Sequence, residues 1–124
     1  MSTLVSAFGL VVLLAIPVRL GDVEIADNDQ KGIRDCKGGN ASIAGNDNKL
    51  TLKNCATVSV AGNDNKLVLE GTKTLDVTGN DNKVQAGPVQ SISTTGNNNK
   101  VTYKKGPKKP KISNVGNGNK IQAG

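Results

Sequence analysis

The chain has 124 residues, a formal net charge of +6 and neither His nor Trp. That length fits one domain, and with Phe8 and Tyr103 as its only rings a core built on large aromatics is excluded. Without His, and with two cysteines that form no Cys-x-x-Cys, a zinc site has too few ligands.

Residues 3–18 are apolar and uncharged, centred on the run from Leu10 to Ile16. The length suits an export signal better than a full membrane span, yet no Lys or Arg precedes it and no small-x-small cleavage site follows. Two roles are open to it: an export signal or anchor, or a segment kept in the mature protein as a hydrophobic cap or assembly element. Pro17 would end any helix near Ile16. Residues 1–20 are therefore set apart from residues 21–124, which carry a repeat.

The repeat is Gly45-Asn46-Asp47-Asn48-Lys49-Leu50, returning at Gly62 and at Gly79 with a period of 17 residues. Looser copies begin at Gly96 and Gly116. Residues 21–40 form a degenerate first coil, in which Asp27-Asn28-Asp29-Gln30 echoes the turn. A fixed short period marks an array in which each unit buries its apolar side against its neighbours. Four residues before each Gly stand Ala41, Val58, Leu75, Ile92 and Ile112, and two before stand Ile43, Val60, Val77, Thr94 and Asn114. Five after come Leu50, Leu67, Val84, Val101 and Ile121, and seven after come Leu52, Leu69, Ala86, Tyr103 and Ala123. Alternation with period two on both sides of the turn predicts a strand before and a strand after it. The expected fold is all-β: a parallel β-solenoid (β-helix) with coils of about 17 residues, behind a short hydrophobic N-terminal segment.

The parity of the pattern shifts at each Gly, so the chain turns a corner there, and Gly can take a positive φ without a Cβ clash. Continuing the alternation, the first and third residues after Gly are expected to point inward. Both are Asn in every copy: Asn46 and Asn48, Asn63 and Asn65, Asn80 and Asn82, Asn97 and Asn99, Asn117 and Asn119. Amides stacked about 4.8 Å apart can donate and accept along the stack and satisfy corner backbone groups. Cys36 and Cys55 lie close to one period apart. At a strand spacing an inter-coil disulfide is within reach, and it would place the protein outside a reducing cytoplasm. Two free buried thiols are the alternative.

Between Tyr103 and Ile112 the period stretches to 20 residues, in a loop carrying Lys104, Lys105, Lys108, Lys109 and Lys111. Residues 82–124 hold eight lysines and no acid, whereas residues 1–81 hold eight basic and ten acidic side chains. The array then reaches Gly124 with no polar cap, which predicts an open parallel edge. Catalysis has no convergent set of unlike groups to rest on, so no catalytic, cofactor or small-molecule site is expected. Calcium needs several carboxylate oxygens, but the Asp of the turn becomes Asn98 and then Gly118, and a Lys two residues on offsets each Asp. Outward residues such as Ser42, Asp76, Val68 and Gln85 are too mixed for a flat ice-binding face.

On its five Gly-Asn-x-Asn copies, residues 23–124 resemble a family of exported bacterial proteins known only as a domain of unknown function. The resemblance implies export and a β-solenoid, and lends no activity. No Cys stands near residue 20, so lipid anchoring is not supported. Charge asymmetry and an open edge favour head-to-tail contact between copies, and contact that closes no ring gives a fibre. The expectation is therefore a secreted or surface structural protein that assembles end to end. The alternative is a monomeric adhesion module that holds acidic polysaccharide or extracellular DNA through the lysines of residues 104–111.

Overall fold

The computed structural model describes residues 21–124; the apolar segment of residues 1–20, with the helix end expected at Pro17, lies outside the described residues. Twelve strands follow in chain order: β1 (Val23–Ile25), β2 (Lys31–Asp35), β3 (Asn40–Ile43), β4 (Lys49–Lys53), β5 (Thr57–Asn63), β6 (Lys66–Glu70), β7 (Thr74–Asn80), β8 (Lys83–Ala86), β9 (Ser91–Asn97), β10 (Lys100–Tyr103), β11 (Lys111–Asn117) and β12 (Lys120–Ala123). Odd strands make one six-stranded sheet and even strands a second, each stacked in coil order. Every pairing is parallel, and partners such as Val58 and Leu75, or Leu50 and Leu67, meet one coil apart. The last coil keeps the register despite its longer loop, with Ile112 opposite Ile92 and Ile121 opposite Val101. The described residues form an all-β parallel solenoid of six coils.

Alternation decides what is buried. Ile43, Val58, Val60, Leu75, Val77 and Ile92 of the first sheet, and Leu50, Leu52, Leu67, Leu69, Val84 and Val101 of the second, form one continuous core. Each such side chain contributes about 1.5–3 kcal/mol when buried. A further buried file, Cys36, Cys55, Thr72 and Val89, closes the side away from the Asn corner. Branched aliphatics stacked on their own kind fill this thin space without rings, and Tyr103 is only partly buried against it.

Two departures from simple alternation stand out. Thr94 continues the buried column of Val60 and Val77, and its hydroxyl has no hydrogen-bond partner. Ile112 and Asn114, expected inward, are exposed: Ile112 is 45% exposed although its register partner Ile92 is 1% exposed. Among the described residues the sixth coil has a neighbour on one side only, so its inward side chains lack a second covering layer.

Candidate functional site

At the corner, chain direction is set two residues beyond the glycine. Asp47, Asp64, Asp81 and Asn98 all sit in the left-handed region, with φ of 56–59°, and Gly118 has φ of 71°. Asp29 repeats the conformation in the first coil. The drift from Asp to Asn to Gly along the array thus stays within the residue types that tolerate this conformation. The glycines answer a different demand. A Cβ at Gly79, where φ is +131°, would collide with the backbone carbonyl of Gly62, and one at Gly96 with that of Gly79. Gly45, Gly62 and Gly116 stand in the same column, where adjacent coils approach too closely for a side chain.

The paired asparagines separate into two ladders. Asn48, Asn65, Asn82 and Asn99 are buried, as expected for the third position. The first position is not inward. Asn46 and Asn63 are half-buried and Asn80, Asn97 and Asn117 exposed, because the strands of the first sheet run through Gly and the first Asn before the left-handed residue turns the chain. In the buried ladder the Nδ2 of Asn65 donates to Asn82 Oδ1 at 3.1 Å and to the Gly45 carbonyl at 3.0 Å. The Asn65 Oδ1 accepts from both the backbone N–H and the Nδ2 of Asn48. Asn82 and Asn99 repeat this pattern, and Asn119 accepts from Asn99. The outer ladder donates the opposite way: Asn63 to Asn46, Asn80 to Asn63 and Asn97 to Asn80, and the Asn117 N–H donates to Asn97 Oδ1. The two rows run antiparallel, so their amide dipoles oppose. Nine of the ten asparagines hold coils together through their side chains, and Asn117 does so through its backbone N–H and carbonyl.

Cys36 and Cys55 are disulfide-bonded, with Cα atoms 4.8 Å apart, and both are fully buried. The adjoining turn is pinned by Asp35, whose Oδ1 accepts from the Lys37 N–H at 2.8 Å and from Asn54 Nδ2 at 3.3 Å. The first of these bonds, then the second, with Lys37 and Lys53 nearby, hold the Asp35 carboxyl below its ordinary value of 3.8.

One repeated feature has no such structural role. The lysine four residues after each turn glycine begins every strand of the second sheet from the second coil on, and Lys31 does so in the first. Pairing sets Lys31 opposite Lys49, Lys49 opposite Lys66, Lys66 opposite Lys83, Lys83 opposite Lys100 and Lys100 opposite Lys120. All six are exposed. Like charges directly opposite one another destabilise a sheet. Four residues further along the same strands, Asp35, Lys53 and Glu70 stack with alternating sign, so the contrast is internal to one sheet. A shallow groove of about 560 Å³ runs beside the column across the first four coils, with Ile33, Thr51, Val68 and Gln85 on its floor. Ile33 is 62% exposed and Val68 40%. Sequence reading, which pairs each Lys with the Asp two residues before it, misses this column; the invariant Lys in each copy was the available signal.

The loop lysines lie elsewhere. Lys104, Lys105, Lys108 and Lys109 are exposed between β10 and β11, on the side of the coil where the second-sheet strands end, whereas Lys111 begins β11 and pairs with Ser91. The loop folds toward Pro88 and Val89, enclosing with Lys73, Lys108 and Lys109 a cleft of about 520 Å³. The column and the loop are therefore separate basic surfaces. Among the described residues no group of three or more His, Cys, Asp or Glu side chains is placed to hold a metal ion.

Six parallel coils, two sheets and an amide corner define a two-sheet β-solenoid. The chain belongs to the family described as "Protein of unknown function (DUF3060)", whose model matches residues 43–87 and 71–118. No curated protein and no solved structure matches the chain.

Proposed function

We propose that this protein is an exported solenoid that binds anionic polymers along its lysine column. The observation that carries the reading is the in-register stack of six like-charged side chains. The glycines, asparagines and left-handed residues of the repeated turn help to close or join the coils. The lysines oppose stability, and residues that break a local rule without a structural return are where function is expected. A row of cations along a rigid axis attracts a polymer that releases counterions on binding. The buried disulfide fits an oxidising compartment, and the reading contains no catalytic step. Titration of the folded protein with polygalacturonate, polyphosphate and single-stranded DNA, followed by calorimetry across a salt series, tests it. Binding that weakens steeply with salt and is reduced in a Lys66→Gln/Lys83→Gln variant is expected. Equal binding by that variant would return the site to the loop lysines.

A second reading, end-to-end assembly into a filament, is favoured by the uneven charge along the axis, with no acid beyond residue 81. Acidic early coils and basic late coils attract when copies align head to tail. Negative-stain electron microscopy at low and high salt tests it: uniform thin fibres that shorten at high salt are the expected result, and isolated particles under both conditions would overturn it.

A further inference from the structure

The groove beside the lysine column constrains its ligand more tightly than charge alone. We propose that it takes a linear acidic polysaccharide laid along the solenoid axis, one sugar per coil. This rests on the reading of the column as a polyanion site.

Adjacent lysines of the column are one strand spacing apart, about 4.8 Å, a step comparable to the length of one pyranose ring in an extended 1,4-linked uronate chain. A chain with a twofold twist brings every second carboxylate onto the column and leaves the intervening sugars over the floor. The phosphates of one duplex strand, about 3.4 Å apart along the axis, do not keep this step and wind away from a straight row.

Ile33 and Val68 present aliphatic surface, and Thr51 and Gln85, between and beyond them in the same column, present hydrogen-bonding groups. That alternation suits sugar rings, which carry both C–H faces and hydroxyls. It does not suit nucleobases, which are held by stacking on aromatic rings: the one ring in the described region, Tyr103, packs against the core instead.

Acids stand beside the lysines of the groove. Asp47, Asp64 and Asp81 stand on the corner two residues before lysines of the groove, whereas Asn98 and Gly118 hold the same place in the last two coils. Asp64→Asn copies the chain's own Asn98, keeps a residue suited to the left-handed conformation, and removes one repelling charge. It should therefore strengthen binding without disturbing the coil.

The test is calorimetry of the folded protein with 1,4-linked oligouronates in a length series from dimer to octamer, with polyphosphate and oligothymidylate as comparators. Affinity is expected to rise with length up to the tetramer, matching the four coils that line the groove, and then to level off. Lys66→Gln should lower tetramer affinity roughly threefold to tenfold, and Asp64→Asn should raise it. If polyphosphate or oligothymidylate binds and the oligouronates do not, the polysaccharide assignment is overturned while the polyanion reading stands. If none of the three binds, both fall. Oligouronate binding that ignores length, or that neither variant alters, would also overturn the one-sugar-per-coil arrangement.

Discussion

Asn65 and Asn80 are the same residue type in the same repeat, yet their environments set very different energetic roles. Asn65 is buried with both side-chain atoms bonded to adjacent coils. Replacing it by Ala leaves the Asn48 N–H and the Gly45 carbonyl without partners and is expected to cost about 2–4 kcal/mol. Asn80 makes comparable bonds at the surface, where water replaces them, so Asn80→Ala should cost about 1 kcal/mol or less. Urea unfolding of the two variants checks the difference. Thr94 gives the opposite sign. Its buried hydroxyl is unpartnered and its column is otherwise Val in the two preceding coils, so Thr94→Val should stabilise by about 1 kcal/mol, read as a raised urea midpoint with an unchanged slope. These roles were partly legible in the sequence. That the asparagines stack followed from their recurrence; which of each pair is buried depended on where the chain turns, and the turn lies at the Asp, Asn or Gly two residues past the glycine.

The turn between β2 and β3 joins the irregular first coil to the regular ones, and it is held covalently. Closing a loop of 19 residues, the Cys36–Cys55 bond is expected to stabilise by about 3 kcal/mol, so a Cys36→Ser/Cys55→Ser variant should unfold at a correspondingly lower urea concentration. With both sulfurs buried, thiol reductants should act on the native protein only as fast as it opens, which timed alkylation would read. Asp35 adds a pH dependence to the same turn. Its carboxyl titrates below 3.8 in the folded protein, so its contribution is fully present above that value and is lost as pH falls toward the lowered one. An Asp35→Asn variant should therefore lose less stability than the parent when thermal unfolding is compared at about pH 6 and about pH 3. The pairing of the cysteines was open to inference from their near-periodic spacing; the carboxylate that braces them was not, since Asp35 stands outside the repeated motif.

For the whole molecule, the role proposed for the lysine column sets stability against recognition. Its repulsion acts between exposed charges, so it is screened as the Debye length falls from about 10 Å at 0.1 M salt to about 3 Å at 1 M. The protein is expected to gain thermal stability with salt, and Lys66→Gln to be more stable than the parent at low salt but equal to it at high salt. Differential scanning calorimetry at the two ionic strengths checks both. An unchanged low-salt midpoint in the variant would mean that the lysine heads splay far enough apart to avoid one another.

The sequence by itself determined the repeat, the parallel solenoid, its apolar columns and the cysteine pair, because a solenoid is nearly one-dimensional and each coil prints its inward and outward residues in a fixed order. Tertiary structure alone decided which amides are buried, that the two ladders run antiparallel, and that the loop lysines and the strand lysines form separate surfaces. Those outcomes depend on the few degrees of backbone freedom at a left-handed corner, and on which residue of one coil lies opposite which residue of the next. A lysine beside an aspartate along the chain reads as a local pair. Stacked at one strand spacing with five others, it becomes a row of charge.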